Sequence, residues 1–235
     1  MGPSPMSDAL SRPHFDAIAP GYAGATGALE PLYAAVRPVL DAEIAGKDVL
    51  DVGSGGVFPF DRRLARSVTS LDLSPAMLAR LPDGVAGVVA DARDMSPLDD
   101  GSFDVVLFSL SLHHVVDGGV AGTEAAQSAA VSEAMRVLRP GGVLLVYEPV
   151  LSPALFALER LLHPVTSALF ALAGVPPVYF RSRASLLRLA DFEATAPRVT
   201  GWVDPLSGTF PGLLRLPVAS FPTRYELFAA RKPLG

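Results

Sequence analysis

The 235-residue chain contains no cysteine. That single absence excludes a disulfide framework, cysteine-ligated zinc and a thiol nucleophile, and it suits a reducing compartment. Lysine is almost missing as well: Lys47 and Lys232 are the two in the chain, and the formal charge is −5. Phosphate neutralisation would rest on scattered arginines, so nucleic acid is not an expected partner. The first twenty residues show no cationic stretch leading into an apolar one, and no secretory signal is expected. Long apolar runs are lacking too. The most apolar stretch, Val150 to Phe180, holds Glu159, Arg160, His163 and four prolines after Leu151, whereas a bilayer-spanning helix needs about 20 apolar residues in a row. What the chain does have is 50% hydrophobic against 18% charged residues, enough to build a sizeable core and too little charge for disorder. The expectation is a soluble, cytoplasmic protein of one domain without a membrane partner.

Short apolar runs recur at even intervals: Val49–Val52, Val68–Leu73, Val85–Ala90, Phe103–Leu110 and Val143–Tyr147. Strands apolar on both faces are those of a buried parallel sheet. Segments between them read as helices. Ser74-Pro75 is a start signal for a helix through Met77 and Leu81, and Val131, Ala134, Met135 and Leu138 repeat at helical spacing until Pro140-Gly141-Gly142 turns the chain into the fifth run. The repeated strand–helix pattern predicts an α/β sheet with helices on both faces. A helix at Leu29–Ile44 precedes the first strand. A short helix near 183–190 and two β-like runs, Ala196–Val203 and Arg224–Ala230, close the chain. The expected division is an N-terminal helical segment at 1–45, a cofactor-binding core at 46–149, an apolar lid insertion at 150–182, and a C-terminal helix with strands at 183–235.

Ligands of open α/β sheets bind beyond the carboxyl ends of the strands, so the residues that follow each run carry most of the functional signal. The first run ends Leu-Asp-Val-Gly-Ser-Gly-Gly, residues 50–56. Gly53 and Gly55 clear side chains from the turn, so a ligand can press against backbone N–H groups. A dinucleotide turn would need glycine at Phe58, and Asp51 would repel a pyrophosphate. The turn suits instead a ligand with an ammonium group beside a small carboxylate. Asp72 ends the second run, 21 residues after Asp51, at the spacing where a carboxylate takes both hydroxyls of a ribose. Asp91 and Ala92 end the third, where a carboxylate can accept from an exocyclic amine. An amino-acid head, a ribose and an adenine are each offered a partner.

LDVGSGG, LDLSPAML, VADARDMSPLDDGSFDVVLFSLSLHHV and VLRPGGVLLVYEP closely resemble the successive motifs of class I S-adenosylmethionine-dependent methyltransferases, and FDAIAPGY, Phe15 to Tyr22, is similar to the N-terminal segment of the subgroup acting on quinones and other small metabolites. The resemblance covers residues 15 to about 149. It implies a Rossmann-like, seven-stranded, mostly parallel sheet whose last strand is antiparallel, with extra N-terminal helices and a helical lid insertion. It implies S-adenosyl-L-methionine as cofactor, held by Asp51, Gly53, Ser54 and Gly55 at the methionine end and by Asp72 at the ribose. Leu73 and Met77 would border the adenine, Asp91 and Ala92 its edge, and Ser109 the sulfonium, with Tyr22 closing over the site.

Acceptor deprotonation calls for a base titrating near neutrality. His113 and His114 follow the fourth strand and are the candidates, together with Tyr22 as a catalytic residue; neighbours in sequence point apart, so one of the two histidines at most faces a substrate. Tyr147 and Glu148 at the end of the fifth strand are second choices. No metal site is expected. The apolar 153–180 stretch suits a small apolar or aromatic acceptor, or packing on the sheet or against a second subunit. Two rivals remain at this stage: an NAD(P)-dependent oxidoreductase and a catalytically silent cofactor-binding protein.

Overall fold

The structure is a computed structural model and describes residues 5–190 and 224–234. Four strands follow the expected runs: β1 (Asp48–Val52), β2 (Ser67–Asp72), β3 (Val85–Val89) and β4 (Phe103–Ser109). They pair in parallel in the order β3-β2-β1-β4, and β4 continues to β5 (Leu138–Leu151). β7 (Arg224–Arg231) lies antiparallel along β5, from Val143↔Arg231 to Val150↔Arg224. At the far end of β5, Val150 also pairs with Arg181 of β6 (Arg181–Ser182). Among the described residues the sheet is therefore seven-stranded, parallel except for its last strand.

Two helices cover its faces, and the period-2 alternation of the strands decides which side chains meet each. α3 (Glu30–Ile44) buries Leu32, Tyr33, Val36, Leu40 and Ile44, along one side, against Val49 of β1, Val105 and Leu107 of β4, Leu145 of β5 and Leu227 of β7. Five such side chains contribute roughly 1.5–3 kcal/mol each. The intervening strand residues, Leu50, Val106, Phe108 and Leu144, point the other way onto Ala130, Val131, Ala134 and Val137 of α5 (Val120–Val137).

The helices between strands are sparser than the sequence pattern predicts. After the glycine turn comes no α-helix, only a single 3₁₀ turn at Arg62–Leu64. Pro59 disfavours helical backbone at Phe58, and Gly53, Gly55 and Gly56 all take positive φ, so the segment cannot wind. α4 (Pro75–Leu78) starts where expected, with the Ser74 hydroxyl capping Met77 N–H at 3.1 Å, and then ends one turn later, before Pro82. Pro140-Gly141-Gly142 is a bulge inside β5 rather than a turn before it: Leu138 pairs with Phe103, and the register resumes with Val143 on Val105.

The N-terminal segment forms α1 (Pro5–Ile18) and α2 (Tyr22–Ala25). α6 (Pro153–Leu172) is longer and less interrupted than its prolines suggest, because Pro153 takes the first helical position behind the Ser152 cap and Pro164 alone lies inside. By length and composition it could cross a bilayer, although Glu159 and Arg160 lie within it and Phe156 and His163 are buried against the body. α7 (Arg183–Leu187) matches the expected short helix. The run Ala196–Val203 lies outside the described residues.

Candidate functional site

A cavity of about 100 Å³ opens at the carboxyl ends of β1 to β4. Its walls are Gly53 and Gly55 after β1, Asp72 and Leu73 at the end of β2, Met77 of α4, Asp91 and Ala92 after β3, and Ser111 and His114 after β4. Phe15 of α1 and Tyr22 of α2 cover it. Nine of the thirteen site residues expected from the sequence thus line one hollow. Asp51, Ser54, Ser109 and His113 stand behind its walls.

The glycines are there because side chains have no room. Both are left-handed, and a Cβ on Gly53 would lie 3.0 Å from that of Ser111, while one on Gly55 would lie 2.8 Å from the Tyr22 ring. The loop is tied down by Gly53 N–H to the Leu71 carbonyl at 2.8 Å, and by Ser54, whose hydroxyl donates to Asp51. Asp72 accepts the Ser74 N–H at 2.9 Å and also those of Gly55 and Leu73, which links the first loop to the second strand end.

Both acidic residues are starved of counter-charge. Burial pushes Asp51 up to about 7, with the Asp72 charge adding to it. Asp72 is pushed up to about 6, again mainly by burial, with Asp16 contributing. Among the described residues Asp51 Oδ1 has no hydrogen-bond partner, and neither has the Ser109 hydroxyl, which lies on the same face of the sheet one strand over. Buried acceptors without donors are costly. A ligand bearing an ammonium group would supply what they lack, so this end of the cavity fits the amino-acid portion of the expected cofactor. Tyr22 is raised to about 12 by burial and by these two carboxylates, so its phenol stays protonated and covers the site rather than acting as a base.

Asp91 is engaged more fully than the sequence suggests. Arg93 Nε lies 2.9 Å from both its oxygens, and Nη2 approaches closer still. The arginine itself lines the cavity. Asp16 reaches across from α1 to the Ser74 hydroxyl at 2.5 Å and so fastens the cover to α4.

The two histidines part company. Leu110, directly after β4, has φ +53, a left-handed conformation that costs a side-chain-bearing residue about 1–2 kcal/mol. The bend turns Ser111 and Leu112 so that their N–H groups meet Glu148 Oε1 at 2.9 and 2.7 Å, and His113 Nδ1 lies 2.6 Å from Oε2. A carboxylate can only accept here, so Nδ1 carries a proton, and in the neutral ring the lone pair is on Nε2. His113 stacks on Phe180 at 4.9 Å and borders a second, water-sized hollow with Gln127 and Arg181. His114 points into the main cavity, edge-on to Phe15 at 5.3 Å. Burial holds its pKa well below the usual histidine value, and its Nδ1 has no partner among the described residues. Tyr147, on the opposite face of β5 from Glu148, is fully buried and donates to the Leu32 carbonyl at 3.3 Å, which removes it as an acid or base.

Arg93, Ser111 and the cap Glu148 makes on the Ser111–Leu112 turn escape sequence reasoning. The Asp91–Arg93 spacing was a usable signal; the reach of Glu148 across 36 and 37 residues was not.

Residues 50–146 match the methyltransferase domain family. A ubiquinone biosynthesis O-methyltransferase of Xanthomonas oryzae is 35% identical over 159 residues, 61% of this chain; the match takes in 62% of the longer relative, so about three-fifths of its length is spanned. A demethylmenaquinone methyltransferase of Mycolicibacterium gilvum is 32% identical over 179 residues, 72% of this chain and 74% of the relative. In three dimensions, 1,6-didemethyltoxoflavin-N1-methyltransferase of Burkholderia thailandensis, solved with S-adenosylhomocysteine, superposes with a TM-score of 0.60 at 17% identity, over 99% of this chain and 92% of that one. That likeness speaks for the fold. With a relative matched over nearly three quarters of its length, and with the motif loops converging on a single cavity, the chain belongs to the class I S-adenosylmethionine-dependent methyltransferases of small-molecule type.

Proposed function

We propose that the protein transfers the methyl group of S-adenosyl-L-methionine to an oxygen or carbon of a small, mainly apolar or aromatic metabolite. The observation that carries the reading is the gathering of the Gly53–Gly55 loop, Asp72 and Asp91 around one hollow, above a buried Asp51 whose Oδ1 has no donor among the described residues. Its relatives' names, those of ubiquinone and menaquinone methylation, favour a quinol-like acceptor. In this reading Gly53, Ser54 and Gly55 hold the methionine portion with Asp51 beneath, Asp72 holds the ribose, Leu73 and Met77 border the base, and Asp91 and Ala92 meet its edge. Ser109 stands near the sulfonium. The described part of the N-terminal segment, residues 5–45, covers the cofactor, and 150–182 covers the acceptor.

When bound, the cofactor supplies a sulfonium-activated methyl group. The protein contributes position, dryness and a proton acceptor. Phe15 and Tyr22 exclude water from the cavity, and alignment of two reacting centres can be worth about 7–11 kcal/mol. His113 takes the acceptor's proton at Nε2, and Glu148 stabilises the cation formed at the other nitrogen. His114, which burial keeps neutral, serves as a wall and a hydrogen-bonding partner. The nicotinamide reading loses ground to Asp51, fixed directly beneath the loop where a pyrophosphate would rest.

Calorimetric titration with S-adenosylhomocysteine tests the cofactor assignment. Micromolar binding is expected, weakened more than tenfold in Asp72→Ala; unaltered affinity in that variant would refute it. His113→Ala should bind normally and lose about 10²–10⁴ in turnover. Undiminished turnover would remove the base, and turnover absent from the unmodified protein with every quinol tried would favour a silent cofactor binder.

A further inference from the structure

α6 packs through one side only. Phe156 and His163, two turns apart, are buried against the body, where His163 meets the Tyr179 ring at 4.8 Å. The helix's exposed charge, Arg160, is drawn back onto Glu124 at 2.8 Å. The outward side is apolar, with Leu158, Leu161, Leu162, Val165, Leu169 and Leu172 exposed by amounts from 42% at Leu162 to 87% at Leu172.

The spacing of that stripe is symmetric. Counted from Val165, leucines stand at −7, −4 and −3 and at +4 and +7, with Ala168 at +3. A stripe that reads alike in both directions complements itself when two helices meet antiparallel about a two-fold axis through Val165. Leu158 then faces Leu172 of the other copy, Leu161 faces Leu169, Val165 faces itself, and Leu162 meets the small Ala168. Isologous contacts have this form. Six such side chains expose several hundred Å², at the upper end of the roughly 300–600 Å² patches on monomers and approaching the roughly 800 Å² each partner gives a standard interface. A lipid surface fits less well: interfacial helices carry a lysine- and arginine-rich polar side, and this helix has one arginine, already paired.

We propose that the outward face of α6 is the homodimer interface of this protein, formed antiparallel about Val165. This is independent of the acceptor and of the catalytic assignment.

Sedimentation equilibrium of the full chain at micromolar concentration should give twice the chain mass. Leu161→Glu alone and Leu169→Lys alone should each give the single-chain mass while still binding S-adenosylhomocysteine, since both side chains are exposed. Mixing the two variants should restore the dimer, because the antiparallel pairing sets the new carboxylate against the new ammonium and leaves Leu169 against Leu161 at the other contact. Val165→Arg, which opposes its own charge on the axis, should be monomeric and rescued by neither. An unmodified protein of single-chain mass throughout, a dimer indifferent to Leu161→Glu, mixing without rescue, or a monomer that co-sediments with phosphatidylcholine vesicles would each overturn the proposal.

Discussion

At the entry end of the sheet, Asp48 sits among Arg66, Ser67 and Arg139 with contacts of 2.8–2.9 Å, and the Arg66 guanidinium holds its carboxyl well below the ordinary range. Three residues further along the same strand, Asp51 is fully buried, has two serine hydroxyls for company, and is pushed up to about 7. Asp104 and Asp72 repeat the contrast on β4 and β2: the first shares Arg66 and Arg139 with Asp48, and the second has backbone N–H groups alone. Aspartates that fasten strands together come with their cations. At the exit end Asp91 has Arg93, but Asp51 and Asp72 are left short of charge, a cost to folding that a bound ligand would offset.

The largest effect that could break this contrast is on stability against pH. A carboxyl whose pKa is raised by folding contributes stability that is whole below the unfolded value near 3.8 and is lost as pH climbs through about 6 to 7. Lowered ones such as Asp48 work the other way, losing their contribution as pH falls beneath 3.8. Urea unfolding of the ligand-free protein should therefore show a maximum near pH 4–5 and a decline on the order of a few kcal/mol by pH 8. Asp51→Asn should flatten most of that decline; an unchanged slope would mean Asp51 is not the group responsible. Next in size, S-adenosylhomocysteine should bind about tenfold more tightly at pH 8 than at pH 5, since its ammonium needs the carboxylates ionised. Titrations in buffers of differing ionisation heat would register the released proton, and a flat affinity would contradict the pairing. Smallest is Arg66→Ala at the entry end, with about 1 kcal/mol or less of stability lost, less still in high salt, and no change in cofactor affinity.

How far the sequence reveals these things depends on range. β1 to β4 were legible within a residue or two because both-face burial writes itself as unbroken apolar runs; β7, interrupted by Glu226, was legible as a β-like run, and its antiparallel sense came from the family resemblance. The 3₁₀ turn in place of a helix after Gly56 was harder: Pro59 gave the warning, but the strand–helix rhythm pointed elsewhere. In the site, Gly53, Gly55, Asp72 and Asp91 follow from position at strand ends. The split between His113 and His114 could be anticipated, but not its sense, because that is decided by Glu148 on another strand and by the left-handed turn at Leu110, a residue type that gives no hint of such backbone.

The Tyr22 ring and the bare backbone of Gly55 occupy adjoining space so tightly that one added carbon would collide. Mutational histories of the cover and of the loop are consequently joined. A lineage that trades the aromatic at 22 for something smaller removes one of the obstacles at 55, the left-handed backbone being another, and a chimaera grafting a foreign cover onto this core meets that pair first.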